Sequence, residues 1–228
     1  MKLSRGTLAT CPSLEGTVVV IDVLRAFTTA CYAFKAGVTE VVLAGTVADA
    51  FRLKKRFPGS LILGEIDGFP VAGFDLPNSP SALPHWDLSG IRLIQRTTAG
   101  SQGALRSKKA SRLLAACLCN LTATASHLHM ASPSSITLVP TGLHPGGWGD
   151  EDVACADAIE TLLQGRSPDL PQIVKRVTDS RAGRHYTDPE NPVFPASDLR
   201  LALQVDRYPY PLGITRKPSC LVMRPIDL

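Results

Sequence analysis

Acids, guanidiniums and hydroxyls in this 228-residue chain cluster just after apolar, β-like runs. Val18-Val19-Val20-Ile21 leads into Asp22, Arg25, Thr28 and Thr29, and Leu61-Ile62-Leu63 leads into Gly64 and Glu65. The run 91–95 leads into Arg96-Thr97-Thr98-Ala99-Gly100-Ser101, and 113–116 precedes Cys117, Cys119 and Asn120. The run 136–139 precedes Thr141, Gly142 and then Glu151-Asp152. In open α/β sheets ligands bind beyond the carboxyl ends of parallel strands. These spacings therefore direct carboxylates, guanidiniums and hydroxyls to one crevice, a mixture suited to a metal and a phosphorylated small molecule.

Each candidate has a plainer alternative. Asp22 can bind Mg²⁺ or act as a nucleophile, and it can equally cap the helix that follows. Arg25, Thr28 and Thr29 beside it tilt the balance, because together they offer metal and phosphate contacts at a helix start. The turn from Arg96 to Gly103 is the best anion-binding segment: its glycines admit an oxyanion, its hydroxyls donate, and a helix follows. It is neither a Walker A loop nor GxGxxG, and an ordinary capped turn explains it about equally well. Asp75 and Asn78 fit turn chemistry, and Glu151 and Asp152 fit the acid preference of a first helical turn. Mg²⁺ takes one or two carboxylates and keeps several waters, so Asp22, Glu65, Glu151 and Asp152 exceed what it needs and some of them are structural. The five histidines form no metal set; His144, in a glycine-rich loop, is a weak proton carrier. No Gly-x-Ser-x-Gly elbow exists.

The elements that must position these residues alternate. Hydrophobic period predicts strands over 17–21, 40–44, 61–63, 91–95, 112–116, 136–139 and 220–223. It predicts helices over 26–35, 47–57, 102–109, 121–130, 150–163 and 198–205, with Gly37 closing the first, Thr46 capping the second and Asn120 the fourth. Val153, Ala156, Ile159 and Leu163 would face the sheet. The stretch 64–90, with four prolines from Pro70 to Pro84, reads as a long functional loop. Periodicity fades over 165–195, where irregular structure is expected. The alternation predicts an α/β fold, a largely parallel sheet covered on both faces.

Composition narrows the classes. A chain 44% hydrophobic can bury a full core as one compact unit. The net charge of +4 is mild, and Lys54-Lys55-Arg56 suits a helix end better than nucleic acid. No aromatics interleave with basic residues as a stacking platform would need. Six cysteines form no CxxC, no apolar run is long enough for a membrane span, and no signal-like h-region follows Met1. A soluble cytoplasmic protein with no nucleic-acid or membrane partner is the expectation.

Val20 to Thr29, Gly73 to Pro80, Arg96 to Ser101, Asn120 and Glu151 to Ala156 together resemble, in order, the landmarks of the 2-phosphosulfolactate phosphatase family. Asp198-Leu199 and Val205 to Tyr208 are similar to that family's closing segment. The resemblance covers a core of about 17–165 and a closing segment of 195–228 within a single domain spanning 1–228. It implies a three-layer α/β/α fold and a Mg²⁺-dependent hydrolase that removes phosphate from 2-phosphosulfolactate, a step of coenzyme M biosynthesis in methanogens. Phe27, Ile66 and Ala99 depart from the residues many members carry there.

The combined expectation is Mg²⁺-assisted hydrolysis of the phosphate ester of a small, sulfonated or unsulfonated 2-hydroxy acid. Mg²⁺ would be held by Asp22 with one or more of Glu65, Glu151 and Asp152. Arg25, Arg96, Thr97, Thr98 and the Gly100 and Ser101 amides would hold the phosphoryl group, with Thr28 and Thr29 beside them. Asn78, Ser79 and Asn120 would contact the acid. Attack by water or by Asp22 is left open, as is a homodimer. The competing readings are a non-catalytic sensor on the same fold and a phosphatase for another phospho-hydroxy acid.

Overall fold

A computed structural model describes residues 2–142, 149–188 and 191–227. Ten strands form one sheet: β1 (Lys2–Arg5), β2 (Gly16–Ile21), β3 (Glu40–Leu43), β4 (Leu61–Gly64), β5 (Leu76–Pro77), β6 (Arg92–Arg96), β7 (Ala110–Ala116), β8 (Ser135–Pro140), β9 (Leu212–Lys217) and β10 (Cys220–Pro225). Their spatial order is β1-β8-β2-β7-β9-β10-β3-β6-β4-β5. The helices are α1 (Ala26–Lys35), α2 (Val47–Arg56), α3 (Gly100–Arg106), α4 (Leu121–Ala131), α5 (Asp150–Leu163), α6 (Leu170–Asp179), α7 (Arg181–Arg184) and α8 (Ala196–Ala202). The result is the expected mixed α/β architecture with a largely parallel sheet.

The sheet consists of two parallel blocks, β1-β8-β2-β7 and β3-β6-β4-β5. Between them the β9–β10 hairpin pairs antiparallel with β7 on one side and β3 on the other. Three antiparallel steps leave the blocks opposed in sense, which in a flat sheet would put their carboxyl ends at opposite edges. Neighbouring strands rotate by about 20–25°, and over the five steps from β2 to β6 this accumulates to about 100–125°. The blocks thus wrap toward each other around α1.

Helix α1 shows the consequence. Residues Ala26 to Ala30, Cys31, Ala33 and Phe34 are all buried, so nearly its whole circumference faces protein. A helix apolar all round is a core helix, and the Gln95 side chain of β6 donates to Ala26 O at 2.9 Å, tying the second block to it. Helix α2 is the opposite case. A reciprocal Thr46–Asp49 capping box opens it, only Ala50 and Leu53 are buried, and Lys54-Lys55-Arg56 close it.

Several sequence expectations need correction. The stretch 165–195 is not irregular: α6 and α7 lie in it, followed by a 3₁₀ turn at His185–Thr187. Asp169 caps α6 through the Gln172 amide, but only Ile173 and Val177 of α6 are buried, too few to show a period. Strands β1, β5 and β9 escaped notice because they are edge, very short or half exposed. Asn120 does not cap α4; its carbonyl accepts from Cys117 N and its amide donates to Ala115 O, closing the turn after β7. Val153 is only half-buried, because α5 packs on α4 and α6 as well as on the sheet. His144 lies outside the described residues. No helix is long and apolar enough to cross a membrane, among the described residues.

Candidate active site where the two strand blocks meet

Loops from the carboxyl ends of both blocks line one cavity of about 520 Å³. Asp22 follows β2 and Gly142 follows β8; Glu65 follows β4, and Thr98 and Ala99 follow β6. Asn78 comes from the turn after β5 and Glu151 from the first turn of α5. Asp67, Ala182, His185, Tyr186, Asn191 and Phe194 complete the wall with Arg25, Leu24 and Phe69.

Burial sets the state of the acids. Asp22 is 5% exposed, and its Oδ1 accepts from Ala26 N at 2.9 Å. Burial, opposed by that amide and reinforced by the Glu65 charge, pushes its carboxyl up to about 7. A Cβ on Gly100 would stand 2.7 Å from Asp22 Oδ2, so glycine is what lets α3 start against this carboxylate. Glu151 is likewise raised to about 7, by burial first and then by the charges of Asp22 and Asp150. Its Oε2 is buried without a hydrogen-bond partner, and so is Asn78 Oδ1. Two buried acceptors facing one cavity are costly unless a cation or donor meets them.

The other acids are committed to the fold. Glu65 accepts from Thr98 N, from Thr98 Oγ1 at 3.1 Å and from Gly68 N at 2.6 Å, pinning the β4 and β6 turns together. Asp152 accepts from Val23 N at 2.8 Å and Gly142 N at 3.0 Å and does not line the cavity. Burial, then the Glu151 and Asp22 charges, push its carboxyl well above the ordinary range. Of the four acids expected at a metal, Asp22, Glu65 and Glu151 line the cavity and Asp152 does not.

The expected phosphate cradle is also mostly self-satisfied. Thr97 N donates to Ser101 Oγ at 2.8 Å, and Ser101 N donates to Thr97 Oγ1 at 3.0 Å. Arg96 donates to Glu65 O at 2.6 Å and does not line the cavity. Thr28 Oγ1 in α1 donates to Val23 O ahead of the helix at 2.7 Å, and Thr29, fully buried, has an unpartnered hydroxyl. Asn120 is fully buried in its own turn. Thr28, Thr97, Ser101 and Asn120 serve the chain around them, and neither they nor Thr29 line the cavity.

Arg25 lines the cavity with its charge already matched. Its Nη1 donates to Asp198 Oδ2 and Val193 O, both at 2.9 Å, and Nη2 donates to Gly68 O at 3.0 Å. The guanidinium lies 5.1 Å from the Phe194 ring centroid and 5.6 Å from that of Tyr186. Asp198, fully buried, also accepts from Ser79 Oγ at 2.8 Å and Ser81 N at 3.0 Å. Ser79 thus belongs to this ion-pair network, which fastens the Asn78 turn and the 191–198 stretch to the cavity wall.

Sequence reading missed Asp67, His185, Tyr186, Asn191 and Phe194. They lie between the two stretches of family-like motif or in a polar hairpin, and the available signal was an aromatic pair, Tyr186 and Phe194, stranded in an otherwise polar segment.

An α/β/α protein that gathers acids and an amide around one strand-end cavity is a small-molecule enzyme or receptor in class. Residues 6–187 match the 2-phosphosulpholactate phosphatase family. Probable 2-phosphosulfolactate phosphatases are among its relatives. That of Bacillus subtilis is 34% identical over 182 residues, 79% of each chain. That of Synechocystis is 37% identical over 160 residues, 69% of this chain and 66% of the relative. That of Deinococcus radiodurans is 35% identical over 146 residues, 64% of this chain and 60% of the relative. The chain belongs to the 2-phosphosulpholactate phosphatase family.

Proposed function

We propose that the chain is a Mg²⁺-assisted phosphatase that hydrolyses the phosphate ester of a small 2-hydroxy acid, the reaction type of 2-phosphosulfolactate going to 3-sulfolactate and phosphate. The observation that carries it is the pair of unpartnered buried oxygens, Glu151 Oε2 and Asn78 Oδ1, in the wall that also holds Asp22. Mg²⁺ prefers oxygen ligands, uses one or two carboxylates and takes the rest from water and substrate phosphate. The residues present fit the ion: Asp22 and Glu151 would hold it with the Asn78 carbonyl.

When bound, Mg²⁺ would neutralise phosphoryl charge and polarise the phosphorus. The chain supplies the rest. Hydrolysis joins a water oxygen to phosphorus, breaks the bond from phosphorus to the ester oxygen, and delivers a proton to the departing alkoxide. Thr98 and Asn78 orient the ester, with the Asn78 amide donating to an acid oxygen. His185, the one imidazole lining the cavity among the described residues, is the group we assign to proton return. The wall of Tyr186 and Phe194 limits water access.

The test is phosphate release from 2-phosphosulfolactate and 2-phospholactate, after dialysis against EDTA and after adding Mg²⁺ back. Activity should vanish in chelator and return with Mg²⁺. Full turnover in chelator would remove the metal from the mechanism, and no release under any condition would leave the cavity a binding site only.

A further inference from the structure

The cavity carries information about the part of the substrate that does not react. Its described lining holds four acids, Asp22, Glu65, Asp67 and Glu151, against two groups able to carry positive charge, Arg25 and His185. The Arg25 charge is already matched by Asp198 at 2.9 Å. A phosphate dianion and a carboxylate together carry three negative charges, already one more than a divalent cation supplies. A sulfonate on the same molecule would add a permanent fourth negative charge, and among the described lining residues only His185 is left to meet it, in a setting where like charges repel strongly.

The same cavity has an apolar wall. Phe69 and Phe194 stand edge to face at 6.1 Å, and Tyr186 meets Phe194 edge-on at 5.4 Å. Leu24 and Ala182 extend this surface. Gly68 makes room for it, since a Cβ there would come within 2.6 Å of the Phe194 ring. Phe69 is 57% exposed and lines the cavity, so its ring is open to a ligand. A volume of about 520 Å³ lies within the range of about 300–1,000 Å³ that holds ligands larger than a three-carbon acid.

We propose that the substrate is a 2-phosphooxy carboxylic acid whose side group is apolar, aromatic or branched alkyl, packed against Phe69, Phe194 and Leu24 where the sulfonate of 2-phosphosulfolactate would otherwise lie. The proposal rests on the phosphatase reading above and narrows its substrate. The phosphate and carboxylate take the acid side with the cation, and the side group takes the aromatic side.

The experiment compares kcat/KM for 2-phosphooxy-3-phenylpropanoate, 2-phosphooxypropanoate and 2-phosphosulfolactate with Mg²⁺ present. The phenyl compound should exceed the propanoate by about tenfold or more, the discrimination typical of apolar pockets, and the sulfonate should be the poorest. Phe69→Ala should shrink the phenyl preference, and Phe69→Arg should raise the sulfonate relative to the phenyl compound. Sulfonate turnover equal to or better than phenyl turnover in the wild type overturns the proposal while leaving the phosphatase reading intact. So does a phenyl preference unchanged in a folded Phe69→Ala protein. Absence of phosphate release from all three compounds overturns both.

Discussion

The turn between β6 and α3 and the stretch from α7 to α8 make opposite use of their side chains. The first is dense with hydroxyls, amides and an arginine, and nearly all of them bond to one another: Thr97 with Ser101, Thr98 with Glu65, Arg96 with the Glu65 carbonyl. The second has little visible pattern, yet His185, Tyr186, Asn191 and Phe194 build a wall of the cavity. A polar motif at a strand end announces chemistry only through the atoms it leaves over. Here the left-over atoms that belong to cavity-lining residues are those of Glu151 and Asn78, while the turn after β6 spends all but Arg96 Nε on holding still.

The comparison can be broken most sharply at Asp22. Asp22→Asn keeps an acceptor for the Ala26 amide but removes the charge, so turnover should fall by at least about a hundredfold, with melting temperature near or above wild type. Wild-type kcat in the variant would return Asp22 to a capping role.

The acids of the cavity should also be visible in stability. Asp22 and Glu151 are raised to about 7 in the folded protein. A carboxyl whose folded pKa lies above its unfolded value favours folding while it is protonated, and that contribution is lost as pH rises through the folded value. In chelator, Tm should therefore fall between pH 5 and pH 8, and added Mg²⁺ should recover more at pH 8 than at pH 5. A flat or rising Tm in chelator would show that burial does not hold protons on this pair.

Arg96→Lys sharpens the contrast from the other side. If the guanidinium only ties the β4 and β6 turns together, the change costs about 1 kcal/mol, or roughly 2–4 °C in Tm, and kcat/KM stays within a fewfold. A hundredfold loss in kcat/KM at unchanged Tm would put Arg96 back in contact with the phosphoryl group. The smallest effect belongs to Thr29→Val, which replaces an unpartnered buried hydroxyl by a methyl of similar shape. It should be neutral or slightly stabilising, with activity unchanged, and a clear loss of activity would mean the hydroxyl meets a ligand.

What could be read from the sequence divides along the same line. The apolar runs of β2, β6, β7 and β8 and the Thr46 box of α2 declare themselves through period and capping chemistry, which are local. Asp22, Glu65, Asn78, Thr98 and Glu151 were placed in the crevice by a topological rule that requires only strand ends. The amide partners of Glu65 and Asp152, Gly68 and Thr98 for one, Val23 and Gly142 for the other, could not be read because they depend on loop paths that no spacing encodes. Arg25 was read as a phosphate contact, and its partner Asp198 lies 173 residues away in the chain. The opposition of the two strand blocks was invisible for the same reason: β9 had too few buried residues to register as a strand.

The placement of β9 and β10 in the middle of the sheet bears on how the protein is made. Every other strand is synthesised before Leu212, so the growing chain first holds two separate parallel sheets whose inner edges, β7 and β3, are unpaired. Open edges of this kind recruit other strands, and sequence-distant pairing of this kind is slow. The hairpin that arrives last covers both edges at once and converts two incomplete sheets into one. A ribosome that stalls, or a protease that cuts, between α8 and β9 would release a chain with all of its described cavity residues and two uncovered edges, a product better suited to aggregation than to catalysis.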